Sequence, residues 1–291
     1  KATIIANVIN IALNYVFIKG MFGFPEMGVK GSALATLIAR IFMLVFLYAV
    51  MVNHEKTKKY VRNFTLKVND LCKEMFAKML KIGLPTALQM FFEITAFAGA
   101  AFICGLVSAK DIASHQIALS MASFTFNLCI GFSVASTVMI GRKFGQQDFQ
   151  ELRKIGINNL KITFVYMGIC GIFFIAAREI LPTFFTKKED VEVIALASKL
   201  LIIAALFQLS DGIQVTALGI LRGIQDVKIP SYLTFFSYWI IAIPLGYFLC
   251  VTLKMGAFGM WIALGLGLTV SALLLVSRVL KLTKNRIVHS K

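Results

Sequence analysis

Apolar residues in this chain neither alternate nor recur at short helical intervals; they run on for long distances. Eight stretches of about 18 residues or more carry few charges, at positions 2–18, 29–52, 82–107, 112–140, 156–177, 191–218, 229–253 and 256–276. At 1.5 Å of rise per residue, about 20 residues cross a hydrocarbon layer of about 30 Å. Each stretch therefore predicts a transmembrane helix, and the chain reads as an all-α polytopic membrane protein with eight spans.

The pattern also repeats. The second span opens GVKGSALA and the eighth GAFGMWIA, so Gly28, Gly31 and Ala35 match Gly256, Gly259 and Ala263 at a constant offset. The spans before them end NYVFI (14–18) and GYFLC (246–250). Two similar hairpins in this order imply a parallel internal repeat about an axis along the membrane normal. Six spans, the third to the eighth, then form one unit. The first two are the closing hairpin of an earlier unit.

Composition agrees with the spans. Of 291 residues, 58% are hydrophobic and 15% charged, and the mean hydropathy is +0.81, against about 45–50% apolar and 25% charged in soluble domains. The net charge of +16 raises nucleic acid as a partner, but the basic residues flank spans and form no aromatic-studded soluble face, so no nucleic acid is expected. Nineteen lysines and arginines fall in one alternating set of connections: Lys56, Lys58, Lys59, Arg62, Lys67, Lys73, Lys78 and Lys81; Arg142, Lys143, Arg153 and Lys154; Arg222 and Lys228; and Arg278, Lys281, Lys284, Arg286 and Lys291. The other set holds seven: Lys19, Lys30, Lys110, Arg178, Lys187, Lys188 and Lys254. The positive-inside rule places the richer set, and with it the C-terminus, in the cytoplasm. The five cysteines, Cys72, Cys104, Cys129, Cys170 and Cys250, are scattered singly and read as small buried hydrophobes, not as a disulfide framework or metal site. Residue 1 is Lys, and the first span follows at once without the regions of a signal peptide. The sequence reads as a fragment, with room for an even number of spans upstream.

Against this apolar background, two acids stand out. Glu93 is the one charged residue between positions 82 and 107, and Asp211 lies inside the sixth span. A carboxylate at mid-membrane costs about 2.5–3.5 kcal/mol on insertion scales and normally faces a protein interior or a wet cavity. Two of them predict a cation site, either for a hard ion such as Na⁺ or for H⁺; the alternative is a pair of carboxyls buried for packing. Gln89 lies one turn before Glu93, and Gln208 and Gln214 flank Asp211, suited to bond the acids, a ligand or a neighbouring helix. Asn7, Asn10 and Asn14 share one face of the first span and either line a cavity or hydrogen-bond between helices. His115 reads as a packed or interfacial residue, Trp239 and Trp261 as interfacial anchors, and Arg40 as the partner of an acid or carbonyl. No phosphate loop, zinc-type His/Glu spacing or G-x-S-x-G is present, so neither an enzyme nor an ATP-driven pump is expected, and no cofactor beyond a coupling ion.

Four segments carry a resemblance: LSDGIQVTALGILRGIQD (209–226), SHQIAL (114–119), LPTALQMFFEITAF (84–97) and NYVFIKGMFGFPEMGVKGSALAT (14–36). In order and spacing they resemble the multidrug and toxic compound extrusion (MATE) transporters, especially the NorM-like branch. The resemblance implies twelve helices in two six-helix lobes and a prokaryotic plasma (inner) membrane. Residues 1–52 would be the last two helices of the N-terminal lobe, 53–81 a cytoplasmic linker, 82–277 the complete C-terminal lobe and 278–291 a basic cytoplasmic tail. It implies exchange of Na⁺ or H⁺ for lipophilic cations, by a protein in contact with membrane lipids and expected to be a monomer. The cation-site acids fall on Glu93 and Asp211. Phe207 stands where the family often carries Tyr, so a hydroxyl ligand is missing there. Arg222, Gly223 and Asp226 match the cytoplasmic L-R-G-x-x-D motif, with a structural role: glycine for a tight turn, charges for lobe anchoring. A first-lobe acid would lie upstream. The alternatives are a flippase for a lipid-linked precursor, which would want an arginine-lined groove, and a non-transporting membrane scaffold.

Overall fold

The computed structural model describes residues 2–55, 57–58, 73–186 and 189–289, with side chains to 284. Lys1, Lys56, Lys59, Arg62, Lys67, Cys72, Lys187, Lys188 and Lys291, all used in the sequence reading, lie outside the described residues, as does the side chain of Arg286.

Eight long helices account for the eight predicted spans: α1 Ala2–Lys19, α2 Gly28–Asn53, α3 Lys73–Val107, α4 Ala109–Gly145, α5 Phe149–Ala176, α6 Val191–Gly223, α7 Lys228–Thr252 and α8 Gly256–His289. All eight are long and apolar enough to cross a membrane. Several run beyond the apolar core of their span. α3 already starts at Lys73, inside the stretch read as linker, and α8 runs on to His289 through the stretch read as tail. Helical backbone bonds continue past the hydrocarbon boundary, whereas hydropathy stops there.

The chain divides into two compact units, Lys1–Lys73 and Glu74–Lys291. In the first, α1 and α2 pair closely. Gly31 makes this possible: a Cβ there would meet the Phe17 carbonyl oxygen at 2.7 Å. Asn10 Nδ2 donates to Thr36 Oγ1 at 3.4 Å and so joins α1 to α2, while Asn14 Nδ2 donates to Asn10 Oδ1 at 3.0 Å within α1. Asn7 is exposed, and Arg40 is exposed without the expected partner among the described residues.

In the second unit α6 is central, packing on α4, α5 and α8. Its small residues let neighbours approach closely, as is usual between membrane helices. Ser133 Oγ donates to the Val215 carbonyl at 2.7 Å and Thr137 Oγ1 to the Gly219 carbonyl at 2.9 Å. Thr163 and Thr216 share a bond of 2.9 Å between α5 and α6. Gly223 serves the same packing: a Cβ there would sit 2.9 Å from Ile140 Cβ. The tight turn expected of Gly223 is instead made by Gln225, with φ of 63°.

The repeat read from the sequence is visible in the two turns. Met27 N donates to the Phe17 carbonyl at 3.0 Å, and Met255 N to the Leu249 carbonyl at 3.1 Å. Phe22 and Lys254 both take positive φ, 58° and 55°, as do Gly28 and Gly256, 50° and 59°. Gly259 presses on Leu249 as Gly31 presses on Phe17.

α7 is irregular. Its segments Phe236–Ala242 and Phe248–Thr252 are π-helical, on either side of Ile243–Tyr247. Pro244 offers no N–H to the carbonyl four residues back and its ring crowds that carbonyl, so the ladder before it widens.

Candidate functional site

Among the described residues α3 packs only sparsely, backbone to backbone, on the rest of its unit and touches it through side chains. Trp239 Nε1 donates to the Phe92 carbonyl at 3.2 Å, and Phe92 lies 4.9 Å from Phe235 between ring centroids. Bulky aromatics hold the helix off, and the space left between α3, α4 and α6 is a cavity of about 520 Å³.

Helical periodicity decides what lines it. From α6 come Phe207, Asp211, Val215, Leu218 and Arg222, which recur at three and four residues and so form one stripe. From α3, Gln89, Glu93 and Phe97 form another, one turn apart. α4 adds Gln116, Ser123 and Ser133 among apolar residues. Glu93 and Asp211 thus open into one cavity. Gln89 Nε2 donates to Glu93 Oε2 at 3.5 Å, and Asp211 is 6% exposed.

The remaining candidates separate. Gln208 turns from the cavity to accept from Thr125 Oγ1 at 3.0 Å, and its Nε2 is buried without a partner. Gln214 is fully buried, and its Nε2 donates to the Tyr238 hydroxyl at 3.2 Å. Phe207 lines the cavity, with its ring 6.1 Å from Phe97 and 5.2 Å from Trp261. Asp226 is bound by Arg278 in a two-pronged pair, with Arg278 Nη2 at 3.0 Å from Oδ1.

Two residues were misread and one was missed. Trp261 is fully buried, not interfacial; its Nε1 donates to His115 Nδ1 at 3.1 Å. Arg222 is not confined to lobe anchoring, since it also lines the cavity. Tyr238, buried on the first π segment of α7, holds Gln214 through its hydroxyl and sets its ring 5.9 Å from that of Phe97 in the cavity wall. The sequence signals only that the ladder is disturbed hereabouts, through Pro244 six residues on, and does not single out Tyr238.

The sequence matches the MatE family profile over residues 85–248. A probable multidrug resistance protein NorM of Agrobacterium fabrum is 37% identical over 97% of this chain and 61% of its own length. The chain belongs to the MatE family. A multidrug resistance protein MdtK of Yersinia pseudotuberculosis is 34% identical over 95% of the chain and 61% of its own length; the chain spans about three-fifths of these MatE relatives. Solved structures share the fold. The eukaryotic MATE transporter AtDTX14 superposes with a TM-score of 0.86 at 20% identity, covering 98% of this chain and 63% of that one. A MOP superfamily transporter from Pyrococcus furiosus gives 0.86 at 20%, covering 98% and 62%. With its eight apolar helices, this MatE chain is an integral membrane protein.

Proposed function

We propose that the protein of which this chain forms part exports lipophilic cations in exchange for Na⁺ or H⁺, by alternating access, with Glu93 and Asp211 as the shared cation site. The observation that carries this reading is the opening of both acids into one largely apolar cavity. A buried carboxylate is costly until a cation neutralises it, and an apolar wall with a few placed polar groups suits a lipophilic ligand. Ion and drug then compete for the same charge. Whichever conformation each prefers is populated on its binding, so ion entry down its gradient releases the drug. The cavity holds two acids and a single arginine, which favours a cation exporter over a flippase for an anionic precursor.

In this reading residues 1–52 close an N-terminal lobe, 53–81 link the lobes, 82–277 form the C-terminal lobe, and the C-terminus lies in the cytoplasm of a prokaryotic inner membrane. Gln89 orients Glu93. The protein works as a monomer.

The test is ethidium movement in proteoliposomes of the full-length protein under an imposed Na⁺ gradient without a pH gradient, and then the reverse. Movement driven by either ion and abolished in Glu93→Gln and Asp211→Asn supports the exchange. Movement that survives both substitutions sinks it.

A further inference from the structure

Among the residues lining the cavity, the ionisable ones are Glu93, Asp211 and Arg222. Arg222 stands eleven residues beyond Asp211 on α6, which returns it to the same helix face about 16 Å further along. Its guanidinium has no hydrogen bond or ion pair among the described residues. The acid of its own motif, Asp226, is already held by Arg278, so it does not neutralise Arg222. Both acids of the cavity, Glu93 and Asp211, share its wall with Arg222. A guanidinium keeps its charge at every physiological pH, and in a cavity walled by apolar side chains that charge is poorly screened.

We propose that Arg222 tunes the ligand charge that the site favours: with both acids ionised it leaves this wall at one net negative charge instead of two, so each positive charge on a ligand is held less strongly and a doubly charged cation loses twice what a singly charged one does. The inference rests on the proposed cation site and deepens it by naming a charge class. A purely structural role, with the arginine reaching for the cytoplasmic interface, would predict no such discrimination.

Ethidium and propidium share a ring system, and propidium carries a second quaternary ammonium on a longer N-alkyl arm; comparing each dye between wild type and variant cancels the difference in size. Their affinities are measured on the full-length protein in nanodiscs, without an ion gradient, for wild type, Arg222→Gln, Arg222→Met and Arg222→Lys. Removing a positive charge about 10 Å away at an effective dielectric of about 20 tightens binding on the order of tenfold per ligand charge. Ethidium should therefore gain about tenfold in Arg222→Gln and propidium about a hundredfold, so that their affinity ratio moves about tenfold. Arg222→Met repeats the test if the glutamine variant does not fold. Arg222→Lys should keep the wild-type ratio, whatever it does to either affinity. An unchanged ratio in both neutral variants, or the same change in Arg222→Lys, overturns the assignment. If Glu93→Gln weakens ethidium while the ratio stays flat, the charge-setting role alone fails. If wild type binds neither dye, or Glu93→Gln with Asp211→Asn leaves ethidium binding intact, the cation site and the inference fail together.

Discussion

Ser133 gives its hydroxyl proton to the backbone carbonyl of Val215, 2.7 Å away, one turn beyond Asp211 on the same helix. The bond fixes α6 against α4 at the depth of the acid, so the position of Asp211 in the cavity is set by helix packing and not by its own hydrogen bonds.

That packing has little slack. A side chain at Gly219 would stand 2.6 Å from Ser133 Oγ and also meet backbone, which cannot move away without opening the interface. Gly219→Val is expected to cost about 1–3 kcal/mol, read as a lowered Tm of the detergent-solubilised protein, and to impair ethidium binding. Val at Gly83, where nothing lies within 4 Å, should do neither by this mechanism.

Tyr238→Phe removes the hydroxyl bonded to the buried Gln214 while keeping the ring beside Phe97, 5.9 Å between centroids. One net hydrogen bond is worth about 1 kcal/mol. The expected result is a destabilisation of about that size in chemical denaturation, with helical content unchanged by circular dichroism.

His115→Ala strands the indole N–H of the fully buried Trp261. An unpartnered buried donor costs about 1–3 kcal/mol, measured as destabilisation in chemical denaturation. His115→Gln, which restores an acceptor, should recover part of the loss.

The Asp226–Arg278 pair is a two-pronged bond between the α6–α7 turn and α8. Neutralising either residue is expected to cost about 1–2 kcal/mol, and the double variant should cost less than the sum of the two. A double-mutant cycle on Tm checks this; strict additivity would deny the coupling.

At the α4–α5 turn, Asp148 accepts from Lys143 Nζ at 2.9 Å and from the Glu151 N–H at 3.1 Å. The bond from Lys143, and then the cap bond, hold its pKa below the ordinary value of 3.8. The unfolded carboxyl protonates first, so the contribution of Asp148 to stability is complete above about pH 4 and is lost as pH falls through the lower folded-state value. Asp148→Asn, which still caps a helix, should flatten that acid limb of the stability curve.

The spans were legible because length and hydropathy suffice to find a helix that crosses a bilayer. Glu93 and Asp211 were legible because an acid inside such a run is costly. Arg222 was not, since it follows the apolar run and looks cytoplasmic by position; its long side chain places the charge away from its Cα. Tyr238 lies in FFSYWIIAIP, where one aromatic is indistinguishable from its neighbours until the π turn fixes which way it points. The asparagines of α1 left two readings open, and Asn10 makes an interhelical bond, to Thr36, whereas the bond from Asn14 stays within α1.

The two turns that match so closely differ in what surrounds them. Nothing lies within 4 Å of a Cβ added at Gly28, whereas Gly256 is pressed by the carboxylate of Asp111, which also accepts the Ala257 N–H at 2.6 Å and so caps the start of α8. Between corresponding positively twisted residues, the first connection runs from Phe22 to Gly28 and the second only from Lys254 to Gly256. Chain length is therefore free in one connection and fixed in the other. An epitope tag or added segment belongs between α1 and α2; the same insertion between α7 and α8 would pull the first turn of α8 off the acid that holds it.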